Sequence, residues 1–203
     1  MEENKDILST HSPDGSGVIR FGIPDGIHRL IIIGSAPCAI DDVYAAIKMM
    51  ESENGYSECH YCAIGLDAVN IARWPIQYFA TYHPSEIADA HERRRQKGGN
   101  VDYTVISHVQ HDDQVDMIVP FEQPSGSSAL LGVLAGIKMG YEKIIVCGCP
   151  LTGKNDKGYD YANFREGWKA KYDEIKAVAR AMSGWPMELL GLPSKEWLKG
   201  EEF

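Results

Sequence analysis

The sequence predicts an α/β protein: a doubly wound, mostly parallel sheet of about six strands with helices on both faces and a short helical C-terminal appendage. Three observations predict it. Short apolar runs rich in β-branched residues recur along the 203 residues, and such near-continuous runs suit strands covered on both faces. Helix-length stretches separate them, opened by Asp or Ser and in two cases closed by Gly, as helix caps require. One of these stretches, residues 127–140, is apolar nearly all round until Lys138, which marks a helix buried in the centre of the molecule.

Element by element, residues 1–27 hold SPDGSGVIRFGIPDG, the composition of a hairpin or a loose arm. Strands are expected at 28–34 (HRLIIIG), 59–65 (CHYCAIG), 76–81 (IQYFAT), 102–107 (DYTVIS), 116–120 (DMIVP) and 143–148 (KIIVCG). Helices are expected at 41–53, 84–97 and 127–140, and the link between 65 and 76 has room for one helical turn. In 127–140, Gly132 and Gly136 stand four apart and permit close packing. After residue 151 comes a polar loop of turn formers, then a helix over 164–180 and two short helical pieces punctuated by Pro and Gly. The chain thus divides into an N-terminal arm (1–27), a Rossmann-like core (28–151) and a loop with helical appendage packed on that core (152–203).

Composition excludes several function classes. A net charge of −9 gives a field that repels nucleic acid, and the one dense basic cluster, Arg93, Arg94, Arg95 and Lys97, reads as the solvated end of a helix. Apolar runs fall short of the ~20 residues that span a bilayer, and the polar N-terminus lacks the apolar stretch of a signal peptide. The expectation is a soluble, cytoplasmic protein with no membrane or nucleic-acid partner. Five cysteines, an odd number, argue for reduced thiols.

Ligands of an open parallel sheet bind beyond the carboxyl ends of the strands, where helix N-termini present unpaired N–H groups. After the first strand, Gly34, Ser35, Ala36 and Pro37 carry little side-chain bulk, so a ligand could approach the backbone; a tight turn made for packing is the alternative. This loop has neither the three glycines of the dinucleotide fingerprint nor the Lys of a P-loop. After the fifth strand, Gly126, Ser127 and Ser128 open the buried helix, with hydroxyls and free N–H groups expected to face an anion. His83 follows the third strand and is the candidate acid or base. His108, His111, Asp112 and Asp113 follow the fourth as a weak metal pattern or a solvated acidic loop. Cys59 and Cys62, three apart in an extended run, face opposite sides of the sheet. Tyr159, Tyr161, Phe164 and Trp168 stack on a base, form a lid or pack on the sheet.

With both loops in this order, the chain resembles the superfamily that joins bacterial sialyltransferases to 6-hydroxymethylpterin pyrophosphokinase-like proteins. The GSAPC loop at 34–38 and SSALLGVLAGIKMGYEKIIVCG at 127–148, ending at Gly148, carry the resemblance, which spans roughly residues 28–151. The whole chain, ATYHP and AMSGW included, also resembles proteins of phage and metagenomic origin, a resemblance that implies no activity. Pro150 stands where the sialyltransferases carry an Asp, and every His lies at or before residue 111, upstream of their catalytic His. The resemblance implies a nucleotide- or nucleotide-sugar-binding transferase, of glycosyl or phosphoryl-type groups. Residues 34–37, 126–128 and Gly148 would hold phosphates, and Ser183 would reach the same edge from the appendage. A divalent metal could accompany the phosphates, and no residue is assigned to hold one. The alternative is a non-catalytic nucleotide- or metabolite-binding or sequestering protein of phage or mobile-element origin.

Overall fold

Leu30, Ile31, Ile32 and Ile33 are each at most 1% exposed, so the first strand is covered on both faces, as a run of four aliphatic residues demands. The computed structural model describes residues 27–50, 58–66, 74–120, 127–154, 158 and 160–200. The strands are β1 (Arg29–Ile33), β2 (His60–Ile64), β3 (Tyr78–Ala80), β4 (Thr104–Ser107), β5 (Met117–Ile118), β6 (Lys143–Cys147) and β7 (Ala179–Ala181). The helices are α1 (Ala39–Met50), α2 (Ile87–Gln96, led in by a 3-10 turn at Pro84–Glu86), α3 (Ser128–Met139), α4 (Ala162–Ala170), α5 (Tyr172–Ile175), α6 (Gly184–Leu190) and α7 (Lys195–Lys199). The strands lie in one sheet of order β5-β4-β3-β2-β1-β6-β7, and every neighbouring pair is parallel. The doubly wound α/β expectation holds, and of the arm expected at 1–27, residues 1–26 lie outside the described residues.

The sheet has seven strands rather than six, because 164–180 is not one helix. Helix α4 stops at Ala170, α5 lasts four residues, and the chain then pairs along β6. Ile144 N–H donates to Val178 O at 2.8 Å, and Met182 N–H donates to Val146 O at 2.9 Å. Helical periodicity continues past Ala170, but the open edge of β6 offers ladder partners that a helix would leave unpaired. Buried Ala179 and Ala181 flank half-buried Arg180, the alternation of a strand.

Alternate residues of β1 and β6 feed two cores. Leu30, Ile32, Ile144 and Val146 meet α3 on one face, while Ile31, Ile33, Ile145 and Cys147 meet α1 on the other. Nine of the twelve residues of α3 are buried. A Cβ on Gly132 would lie 3.2 Å from Ile32, and one on Gly136 2.8 Å from Ile144, so the two glycines do bring α3 close to the sheet.

The basic cluster is not simply a solvated helix end. Arg94 is 3% exposed and donates to Trp74 O at 2.6 Å, Asn100 Oδ1 at 3.0 Å and Asn100 O at 3.2 Å. Burial holds its pKa below the ordinary value. Its guanidinium fork matches several carbonyls at once, which a charge count along the sequence does not reveal. Arg95, by contrast, is exposed and pairs with Glu92 at 2.6 Å.

The chain leaves β1 through α1 toward β2 and returns through α3 to β6 on the other side, so the strand order reverses between β1 and β6. There Gly34 N–H donates to Cys147 O at 2.8 Å and Ala36 N–H to Gly148 O at 3.1 Å. A Cβ on Gly34 would stand 2.2 Å from Gly148 O, a backbone atom that cannot swing aside. Gly34→Ala is therefore expected to lower stability by about 1–3 kcal/mol, the range for overpacking, read as a fall in urea midpoint with unchanged slope.

Candidate active-site cleft

A cleft of about 630 Å³ opens at the switch point, beyond the carboxyl ends of the strands, where such sheets bind ligands. Gly34, Ser35, Ala36 and Pro37 form one wall, Ser127, Ser128 and Ala129 the floor, and Gly148 through the loop to Lys154 another. His83 borders it. Eight of the expected residues thus come together; Gly126 lies outside the described residues, and Ser183 does not line the cleft.

The first loop owes its small residues to strand packing as much as to ligand access. Gly34 is buried against Gly148, while Ser35 and Pro37 are the exposed members. Gly148 has φ +66°, and a Cβ there would lie 2.3 Å from that of Ala39. Its N–H donates to Asp42 Oδ2 at 2.9 Å. The same oxygen accepts the Ser183 hydroxyl at 2.7 Å, and Ser183 Oγ sits 3.5 Å from Cys38 Sγ. Ser183 thus reaches the expected edge but is spent behind the loop. Burial pushes the Cys38 thiol pKa up, and the Asp42 charge adds to the effect.

Ser127 caps α3 as its position predicts, accepting from Leu130 N–H at 3.3 Å. It also accepts from Trp168 Nε1–H at 3.2 Å and is 2% exposed. Ser128 Oγ accepts from Tyr82 N–H at 3.0 Å. Both oxygens therefore brace the fold from inside, rather than standing open toward the cleft. Tyr82 stacks on His108, ring centroids 3.9 Å apart and 2° from parallel. His83 is exposed, and its backbone N–H donates to Thr81 Oγ1 at 2.9 Å.

From the loop after β6, sequence reasoning missed Lys154. Lys154 is the cation among the described residues that line the cleft, and a bridge to Asp160 closes its loop. Arg165 Nη1 donates to Leu151 O at 2.9 Å. Leu151 has φ +48°, a conformation that costs a non-glycine residue about 1–3 kcal/mol and concentrates at functional sites. Tyr161 and Phe164, 5.7 Å apart, line the cleft, whereas Trp168 is fully buried in the core. The packing alternative holds for Trp168, and Tyr159 lies outside the described residues.

The remaining candidates do not meet here. His111 Nε2 lies 3.8 Å from Asp112 Oδ2, and Asp112 and Asp113 are exposed. Among the described residues no three His, Cys, Asp or Glu side chains converge as metal ligands. All five cysteines are free thiols, with Cys62 in the α3-side core and Cys59 packed on the α1 side. A larger opening of about 870 Å³ lies by the amino ends of β1 and β6. It faces the carbonyl end of α3, and its charges are mixed, Arg29, Lys143 and Lys199 against Glu58 and Glu142.

The fold and the cleft define an α/β protein with a parallel sheet and a cleft at its topological switch point. Two solved sialyltransferases of Campylobacter jejuni share that fold. An α-2,3-sialyltransferase in apo form superimposes with a TM-score of 0.52 at 12% identity, over 86% of this chain and 82% of that one. The sialyltransferase CstII, in complex with the substrate analogue CMP-3FNeuAc, superimposes with a TM-score of 0.50 at 10% identity, over 82% and 86%. At this identity the likeness is one of fold. No protein-family model matches the chain, and no curated protein matches its sequence. No helix among the described residues is long and apolar enough to cross a membrane.

Ser127→Ala removes a cap and leaves the Trp168 indole N–H buried without a partner, so a stability loss of about 1–3 kcal/mol is expected in denaturant titration. The histidines give a pH dependence. Burial lowers the pKa of His91 and His108 from 6.5, with the charges of Arg95 and His83 respectively adding to it. The unfolded chain therefore binds protons first as pH falls through 6.5. Stability should accordingly decline below that pH and level off below the folded values, and His108→Phe should shallow the decline.

Proposed function

We propose that this protein is a transferase that binds a nucleotide-activated sugar in the switch-point cleft and passes the glycosyl group to a hydroxyl acceptor. The observation that carries the reading is the meeting, across one cleft, of the 34–37 loop, the amino end of α3 and Lys154. Oriented N–H groups and a lysine suit the phosphate of a nucleotide, and Tyr161 and Phe164 offer apolar faces for a base. The fold shared with a sialyltransferase solved with CMP-3FNeuAc supports a nucleotide-derived ligand.

The chemistry is a displacement. His83, on the border of the cleft, takes the proton of the acceptor hydroxyl as its oxygen bonds to the anomeric carbon. The bond from that carbon to the phosphate oxygen breaks, and the nucleotide leaves as an anion. The helix N-terminus and Lys154 stabilise the charge that develops on it. Ser127 and Ser128 hold the floor in place, and Asp42 holds Gly148, whose carbonyl in turn accepts from Ala36 of the 34–37 loop.

A second reading, a non-catalytic nucleotide or metabolite binder, is favoured by Pro150 in place of an Asp and by the absence of any His after residue 111. The two readings separate experimentally. Nucleotides and nucleotide sugars at 100 times their Kd should stabilise the protein by about 2.7 kcal/mol in a thermal-shift screen, and Lys154→Met should reduce the effect. If no nucleotide shifts Tm, the transferase and the nucleotide binder both fall. In the transferase, His83→Ala should lower turnover of a bound nucleotide sugar by about 10²–10⁴-fold with the thermal shift intact. Binding without turnover, unchanged by His83→Ala, would establish the binder.

A further inference from the structure

A second cleft, of about 370 Å³, opens beside the first. Ser35, Ile64, Gly65 and His83 border both, so the two cavities are lobes of one site with His83 on their common rim. The rest of the smaller wall is Leu66, Glu86 and Arg93. Glu86 ends the 3-10 turn, and Arg93 lies two turns along α2. A seven-residue separation places both on one helix face.

A carboxylate that only accepts and a guanidinium that only donates, lining one lobe, complement the hydroxyls of a sugar, each of which does both. Leu66 and Ile64 give the apolar surface on which the C–H face of such a ring rests. The volume is at the small end for ligand pockets and suits one or two rings. Neither a nucleotide phosphate nor a metal fits this wall as well, since Glu86 repels the first and Arg93 the second.

We propose that the smaller lobe is the acceptor site, that it takes a hydroxyl-rich saccharide, and that Glu86 and Arg93 set its specificity by presenting one hydroxyl to His83. The word acceptor rests on the transferase reading; the saccharide site itself does not. It explains why His83 borders both lobes: a base that deprotonates the acceptor hydroxyl must sit where that hydroxyl, held in one lobe, meets the anomeric carbon held in the other.

The test uses the full chain with two independent probes. Saturation-transfer NMR with galactose, glucose and lactose reads the smaller lobe, and thermal shift with CMP reads the larger. The expected result is a saccharide signal weakened at least tenfold in Arg93→Met and in Glu86→Gln, with the CMP shift unchanged in both. Unfolding midpoints check the variants, and the near-isosteric Glu86→Gln decides if Arg93→Met unfolds. No saccharide signal, a signal that survives both substitutions, or joint loss of CMP binding would each overturn the proposal. A saccharide signal that depends on Glu86 and Arg93 in a protein that binds no nucleotide would leave the lobe standing and sink the transferase reading instead.

Discussion

Two strand ends meet with no side chain between them, and the rest of the site depends on that contact. Gly34 leaves β1 and Gly148 leaves β6 so close together that a Cβ on either would overlap its surroundings, at 2.2 Å for the first and 2.3 Å for the second. The approach lets two backbone hydrogen bonds continue past the ladder, so the 34–37 loop leaves the sheet along one path only. Asp42 then clasps the junction from the first turns of α1, one oxygen accepting from both Gly148 and Ser183. Helix, loop and strand end are thereby held in one arrangement, with the cleft in front of them.

The floor is built on a similar economy. Ser127 and Ser128 give their oxygens to Trp168 and Tyr82, so the hydroxyls that suggest an anion site by their place in the chain brace the structure instead. What remains open to the cleft is the backbone amide edge of α3, whose direction the fold sets, and the exposed Lys154 ammonium on its flexible stem. Fixed backbone donors need little rearrangement when they meet a charge, which is the condition for electrostatic stabilisation.

Much of the architecture is legible in the sequence, because runs such as LIII and IIVC can be satisfied only by burial on both faces. The capped entry to α3 is equally plain, since Ser127 stands where the apolar run begins. The parts that are not legible depend on partners far along the chain. Trp168 and Tyr82 reach the two serines across 41 and 46 residues, and no local pattern announces either bond. Strand β7 is three residues of Ala-Arg-Ala, without β-branching, and it exists because β6 supplies the ladder. Arg94 reads as one charge among four, and only the folded carbonyls around it distinguish it. Lys154 sits among turn formers, where a lysine carries no positional signal. The cleft's location was therefore readable, while much of its chemistry was not.

The placement of β1 has a consequence for how this protein is made. Its second neighbour, β6, begins at Lys143 and pairs from Arg29 onward, so that edge of β1 stays open until most of the chain has left the ribosome. Leu30, Ile31, Ile32 and Ile33 then present an apolar strand with unpaired backbone groups, the kind of edge that recruits other chains. Helix α3 and β6 close it together, one after the other in the sequence. Quality control during synthesis, as much as stability afterward, falls on that late step.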